Sequence, residues 1–583
     1  MAVAASVNKE IEEDRTSAHD ADNQPYRQAQ TKRGLSPRHV QLMMIAGAIG
    51  IGLFVGVGGV LRKAGPLPLI IGYIIYGVGF IYPTSLGVAE MLAWLPIRGS
   101  IYELAARYVD PALGFAMGWT YFFAGAMLVC TEYSAVATVI QFWNTSVNPA
   151  VWVAIVMVVC VLLNLVAVKW YGESEFVMSS TKILLLTGLV FATIITMAGG
   201  NPNHDAYGFR NWSGGNFVHS YYAEGATGVF LSICISVRYA GFTVAGPDIL
   251  ALAAAEMRNP RKTIPSVAKV ILYRIVGVYI IGIIAVGIIC SSRDPRLMGA
   301  IDSGEAGAAA SPWVLGLMNV GISGFLPGFI NALIMLSGWS CGNAYLYSSS
   351  RTLYSLAQDG KAPKILLKCT KSGAPWVCVM VVSAISCLSF LVASNGTIEV
   401  FNWFLDLTTV SLVVNATAMS WVFLGWRRAL KHKGIPLIGK NHFKAPGRLA
   451  KLLGRKHQLP EVNDETIVFP YIAPGGWFFP YTCLLLGSCV CFFIGFDVFY
   501  PFSYRGFITS YFGLAWFFGM FTFWKIFKRT RFVNAAEVDI FAGGLKQEID
   551  DECRHWEEGA DDTEKATQSI KGWFRKTLSK PGV

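Results

Sequence analysis

Charge is what this sequence has least of. Only 15% of its 583 residues are Asp, Glu, Lys or Arg, where a soluble domain carries roughly 25%. With 54% of residues hydrophobic, too little polar surface remains for a soluble globule. Histidine is scarce as well: the eight present lie in tails or polar loops, among them His39, His204 and His432. This excludes a histidine metal site or histidine proton relay inside the apolar segments. The twelve cysteines include no CxxC pair. Cys130, Cys160, Cys234, Cys290, Cys341, Cys387 and Cys489 sit within or at the edges of apolar runs and read as small buried hydrophobes, not as a disulfide framework. The segment from Met1 to about Pro37 has no apolar core and no small-residue cleavage site, so the first long apolar run is expected to act as an uncleaved anchor.

Long apolar runs are what the sequence has in abundance. About 20 helical residues at 1.5 Å each cross the roughly 30 Å hydrocarbon layer of a bilayer. Runs of this kind fall near 41–61, 69–95, 115–141, 151–169, 177–198, 224–250, 268–290, 316–347, 377–394, 401–425, 478–498 and 508–527. The expected fold is therefore an all-α integral membrane protein with about twelve transmembrane helices. It divides into a disordered cytosolic tail (1–37), a membrane domain (38–528) and a cytosolic C-terminal tail (529–583). Both tails are rich in charge, which argues against an independent core; an apolar patch that docks them on the membrane domain is the alternative.

The formal charge of +11 needs no nucleic-acid partner, because the basic residues lie between apolar runs, where they set orientation. Arg427 to Lys456 holds ten Lys and Arg and no Asp or Glu, which places that loop in the cytosol. Counting spans outward puts both termini inside. The basic residues Arg258, Arg261, Lys262 and Lys269, and Arg351, Lys361, Lys364, Lys368 and Lys371, agree. The sequons at Asn144, Asn211 and Asn395 fall on loops that this count makes external.

Two segments carry the functional signal. In the first run, Gly47-Ala-Ile-Gly50-Ile51-Gly52-Leu-Phe is followed by Gly56, Gly58 and Gly59, a glycine load costing about 1 kcal/mol per residue in a helix interior. In the sixth, Phe242-Thr243-Val-Ala245-Gly246-Pro247-Asp248 sets a flexible residue beside one lacking an N–H. Close helix packing through small residues is one reading of the first motif. The other is a pair of broken helices at the starts of two five-helix sets, the pattern of a transporter built from inverted repeats. A broken helix offers free N–H groups to a carboxylate and free carbonyls to an ammonium, which are the two charges of a zwitterion.

The motifs Gly47-Ala-Ile-Gly-Ile-Gly-Leu-Phe-Val-Gly, Glu256-Met-Arg-Asn-Pro-Arg-Lys-Thr-Ile-Pro265 and Ser348-Ser-Ser-Arg-Thr-Leu-Tyr-Ser-Leu-Ala-Gln-Asp-Gly-Lys-Ala-Pro363 resemble those of the fungal amino-acid permeases, the yeast amino-acid transporter branch of the amino acid–polyamine–organocation superfamily. The resemblance runs from about Arg33 to Asp550 and takes in Asp110-Pro-Ala-Leu-Gly-Phe-Ala-Met-Gly-Trp119. It implies a five-plus-five inverted repeat plus two extra helices, and proton-coupled uptake of amino acids at the plasma membrane. By position it implies that Gly50, Ile51 and Gly52 contact the substrate carboxylate and that Phe242 is an aromatic gate. Thr243 and Ala245 would offer carbonyls to the ammonium, while Gly246 permits the unwinding. No cofactor is implied beyond the proton gradient. Lipid surrounds the domain, and ubiquitin-ligase adaptors would act on tail lysines such as Lys9 and Lys32.

Three ionisable residues are candidates for proton coupling, because charge inside a membrane faces a cavity or a partner. Lys182, in the fifth run, stands where members of the superfamily place a lysine in lieu of a sodium ion; snorkelling to the interface is its other reading. Asp248 either senses protons or caps the second half of the sixth helix. Glu132, in the third run, either takes part in coupling or partners a buried basic or N–H group. Ile51 replaces the usual Thr or Ser, Pro247-Asp248 replaces Thr-Glu, and Arg238 faces either an outer vestibule or Glu132. The substrate therefore stays open between an amino acid and a polyamine or carnitine-like cation, and a non-transporting sensor is the rival from another class. The apolar runs hold no nucleophile–histidine pair, metal cluster or phosphate loop, so an enzyme is not expected.

Overall fold

The computed structural model describes residues 49–97, 100–166, 168–244, 247–254, 257, 259–302, 311–370, 373–439, 467–542, 546–547, 549–551 and 553–554. The N-terminal tail with Lys9 and Lys32, Ala245, Gly246 and the acidic stretch from Glu557 lie outside the described residues.

The described chain is nearly all helix. Ten helices are long and apolar enough to cross a membrane: Pro66–Trp94, Pro111–Ile140, Val177–Met197, Gly225–Thr243, Pro260–Ile289, Phe325–Gln358, Trp376–Ala393, Thr397–His432, Phe478–Val498 and Tyr504–Lys528. They match the expected second, third and fifth to twelfth spans. The shorter apolar helix Pro149–Leu165 takes the place of the fourth. The first span enters the described residues as a wide π-helical turn, Gly52–Gly56, that runs into Val57–Ala64. Among the described residues the only strands are the paired dipeptides Ile438–Gly439 and Val468–Phe469.

Local chemistry sets the ends. Asp110 caps the third span by accepting the Ala112 N–H at 2.7 Å, with Pro111 at the first helical position, the usual place for a residue without an N–H. The eighth span starts later than expected. Helix Pro312–Asn319 ends in a turn where Gly321 (φ 87°) and Gly324 (φ 78°) take left-handed conformations, and Phe325–Gln358 begins beyond it. Only glycine enters that region freely, so the turn chemistry overrides the continuous apolar run. The third span lies at the centre, packed against the eighth and the tenth, and the last two spans pack on the tenth. Of the three sequons, only Asn144 is exposed; Asn395 is partly buried, as is Asn211, whose amide donates to the Ile288 carbonyl at 2.8 Å.

The C-terminal segment departs from the expectation of a poorly folded tail. Val538, Ile540, Ile549 and Cys553 are buried. Trp94 Nε1 donates to the Ile540 carbonyl at 3.0 Å, the Lys546 ammonium lies 4.1 Å from the centre of the Trp94 ring, and Arg261 pairs with Asp550. The apolar patch spread among the charges is enough to dock this part of the tail.

Glu90 of the second span and Arg427 of the tenth form a fully buried pair at 2.6 Å. Glu90 also accepts Trp426 Nε1 at 3.1 Å and the Ala473 N–H at 2.7 Å. Removing one member of such a pair strands the other charge. Arg427→Ala is therefore expected to destabilise the fold by about 3–5 kcal/mol, seen as a lowered midpoint in thermal unfolding of the detergent-purified protein.

Candidate functional site

A π-turn widens a helix and frees carbonyls that would otherwise bond within it, and in a membrane each of them needs a partner from the protein. The start of the first span shows where the partners come from. The Ile49 carbonyl accepts from Ser337 Oγ at 3.1 Å and from Cys341 Sγ at 3.2 Å, both on the eighth span. The Gly52 carbonyl accepts from Tyr239 Oη at 2.6 Å, the Leu53 carbonyl from Trp313 Nε1 at 3.3 Å and the Phe54 carbonyl from Ser311 Oγ at 2.7 Å.

The glycines let neighbouring elements close in. A Cβ on Gly52 would lie 2.8 Å from the Phe242 ring and 2.9 Å from the Thr243 methyl, and one on Gly50 would overlap the Glu132 carboxylate. The Ile51 side chain packs against Gly338 of the eighth span, while its backbone N–H lies within reach of the Glu132 carboxylate. The sixth span ends at Thr243 and resumes as Pro247–Ala254, and a helix end leaves its last carbonyls without intrahelical partners. Thr243 Oγ1 and Tyr73 Oη are 2.6 Å apart. Phe242 stands edge-on to Phe401 of the tenth span at 6.3 Å.

The π-helical turn of the first span and the break in the sixth thus meet, with Gly52 against Phe242 and Thr243, and Glu132 behind Gly50. Lys182 is buried, so it does not snorkel. Its ammonium contacts Cys341 Sγ at 3.1 Å and lies within electrostatic reach of Glu132 and Glu175. Asp248 is half-buried in the first turn of Pro247–Ala254.

A match to the amino acid permease family model covers residues 39–446. This chain belongs to the amino acid permease family. Among its relatives, the proline-specific permease of Emericella nidulans is 38% identical over 530 residues, 90% of each chain. The proline-specific permease of Saccharomyces cerevisiae is 35% identical over 575 residues, 95% of this chain and 86% of that one. The dicarboxylic amino acid permease of the same yeast is 33% identical over 517 residues, 88% of this chain and 79% of that one. The chain is accordingly a multi-pass membrane protein, and its relatives are transporters.

Arg238 faces neither Glu132 nor an open vestibule. It bonds Asp406 of the tenth span at 2.5 Å and Asp497, at the C-terminal end of the eleventh, at 3.0 Å; Tyr221 Oη holds the second oxygen of Asp497 at 2.9 Å. Sequence reasoning missed four participants: Tyr239, Tyr73, Cys341 and Glu175. Glu175 had a readable signal, since it precedes Lys182 by two helical turns and shares its face. Tyr239 and Cys341 look like ordinary span residues until the carbonyls they bond are known.

Tyr239→Phe removes the side-chain donor to the buried Gly52 carbonyl, which keeps only the Val57 N–H of its own helix, and the expected cost is about 0.5–1.5 kcal/mol. Tyr73→Phe is expected to cost less, because Thr243 Oγ1 retains the Tyr239 carbonyl at 3.3 Å. Paired thermal melts of the two purified variants test this order; equal losses would contradict it.

Proposed function

We propose that this chain carries a small neutral amino acid, with proline the first candidate, into the cell across the plasma membrane by alternating access, together with protons. The observation that carries the reading is the meeting of the two helix breaks beside buried Glu132 and Lys182. The break in the sixth span supplies carbonyls for an amine and the break in the first supplies N–H groups for a carboxylate. Both termini are cytosolic in this reading, as the basic loops require.

Coupling follows from competition at Ile51. Its N–H lies within reach of the Glu132 carboxylate, so an incoming substrate carboxylate competes with a carboxylate of the protein. Protonating Glu132 weakens its hold on that N–H and removes the repulsion between the two anions, so proton and substrate favour each other's binding. A neutral side chain is favoured because Arg238 is engaged by Asp406 and Asp497 and is not offered to an acidic substrate. The printed names of the relatives, proline-specific in two fungi, point the same way.

In a host lacking its own permeases, labelled proline is expected to accumulate faster at pH 5 than at pH 7 and to stop accumulating when a protonophore is added. Lys182→Ala and Asp248→Asn should each depress that accumulation with surface levels unchanged. Uptake confined to glutamate, a polyamine or carnitine would sink the substrate assignment, and uptake indifferent to the protonophore would sink the coupling. Arg238→Gln, which leaves Asp406 and Asp497 facing each other, is expected to lower uptake of every substrate alike; a selective change for acidic amino acids would show that Arg238 reads the substrate.

A further inference from the structure

We propose that Glu175 is a second proton station, sharing one exchangeable proton with Glu132 across the Lys182 ammonium and releasing it toward the cytosol. This rests on the proton-coupled reading above.

The argument begins with position. Glu175 lies on the same face of the fifth helix as Lys182, about 10 Å nearer its N-terminal end at 1.5 Å per residue, which is the cytosolic end in the topology proposed here. It is 8% exposed. Ser340 Oγ lies 3.2 Å from each of its carboxyl oxygens and Ser179 Oγ 3.4 Å from one. Ser340 is the neighbour of Cys341, which touches Lys182 and donates to the Ile49 carbonyl at the break of the first span. One turn of the eighth span therefore ties the Glu175 carboxyl, the Lys182 ammonium and the first helix together.

Charge counting adds the second step. Glu132 and Glu175 both act on Lys182, and one ammonium against two carboxylates leaves one negative charge in excess. Unbalanced charge buried in a membrane protein is costly, and one added proton removes it. Glu132 Oε2 is buried with no hydrogen-bond partner among the described residues, a poor setting for a carboxylate and an acceptable one for a carboxyl whose O–H can turn. The other titratable neighbours are Cys341 on the eighth span, Tyr239, Tyr345 and Asp248 on the Glu132 side, and Tyr279, which lies within reach of both Arg274 and Cys341.

The proton balance is simple. A proton from outside forms an O–H on Glu132. Lys182 then gives a hydrogen to the Glu175 carboxylate and takes one from Glu132, ending with the three it began with. The Glu175 O–H finally breaks to cytosolic water when that side opens. Two coupled carboxyls of this kind titrate as a unit.

The test uses the full chain in proteoliposomes with labelled proline. A pH gradient of one unit supports about tenfold accumulation per coupled proton, whereas counterflow exchange needs no gradient. Glu175→Gln is expected to lose that tenfold accumulation and to keep counterflow within about twofold of the unaltered protein, with Glu175→Asp retaining both. Full accumulation by Glu175→Gln would overturn the proposal, as would joint loss of accumulation and counterflow in a folded variant. Should Glu175→Gln fail to fold, Ser340→Ala keeps the carboxyl and removes a donor. It must shift the pH of half-maximal uptake, and an unmoved profile overturns the proposal. Gradient-independent uptake by the unaltered protein would instead defeat the coupling reading itself.

Discussion

The constraint on which the rest of the structure depends is that a backbone inside a membrane has no water to turn to. Once the first span widens at Gly52–Gly56, its carbonyls need donors, and the structure supplies them from three directions: Ser337 and Cys341 of the eighth span, Tyr239 of the sixth, and Ser311 and Trp313 just before the eighth. The break is thereby fixed in position by elements distant in sequence. The same bonds make the first span a reporter of its neighbours, because any rotation of the sixth or eighth span must exchange a carbonyl partner. A helix held this way is suited to moving between a few discrete arrangements, more than to bending continuously.

Three groups of buried charge show what burial is for in each case. Glu90 and Arg427 balance one for one, and the Glu90 carboxylate also takes Trp426 and the Ala473 N–H; such a group ties the second and tenth spans together and has nothing left to exchange. Arg238 bridges Asp406 and Asp497, with Lys63 within electrostatic reach of both aspartates, so that two positive charges meet two negative ones where the first, sixth and tenth spans approach one another. Around Lys182 the count does not close. Among these sites, the imbalance falls on the one that touches the helix breaks, and balance is therefore a better guide to function than burial alone.

Much of the fold was legible because its signals are local. Apolar runs of bilayer length marked the spans, Pro247 marked where the sixth span resumes, and Gly52 and Gly56 lie in the widened turn of the first. Where reading failed, a local signal was outvoted. The run at 316–347 looked continuous, but two left-handed glycines, Gly321 and Gly324, cut it. The C-terminal tail looked too charged to pack, yet Val538, Ile540, Ile549 and Cys553 were sufficient to anchor it on Trp94 and its surroundings. The partners of Arg238 lay beyond sequence reasoning for a different reason, because Asp406 and Asp497 are 168 and 259 residues away and nothing in their own neighbourhoods announces an arginine.

The site itself was half legible, and the division is physical. Gly50, Gly52 and Phe242 were named by position from the family resemblance, and the close approach of Gly52 to Phe242 and of Gly50 to Glu132 requires residues without a Cβ there. What Ile51 does could not be chosen that way. Its side chain is buried against Gly338, and the working atom is its N–H, which any non-proline residue possesses. The replacement of a hydroxyl residue by Ile51 therefore removes a side-chain donor without removing the backbone donor near Glu132. In the coupling proposed above, specificity depends less on the first span's side chains than on which carboxylate, the protein's or the substrate's, occupies that N–H, and a proton on Glu132 tips that competition toward the substrate.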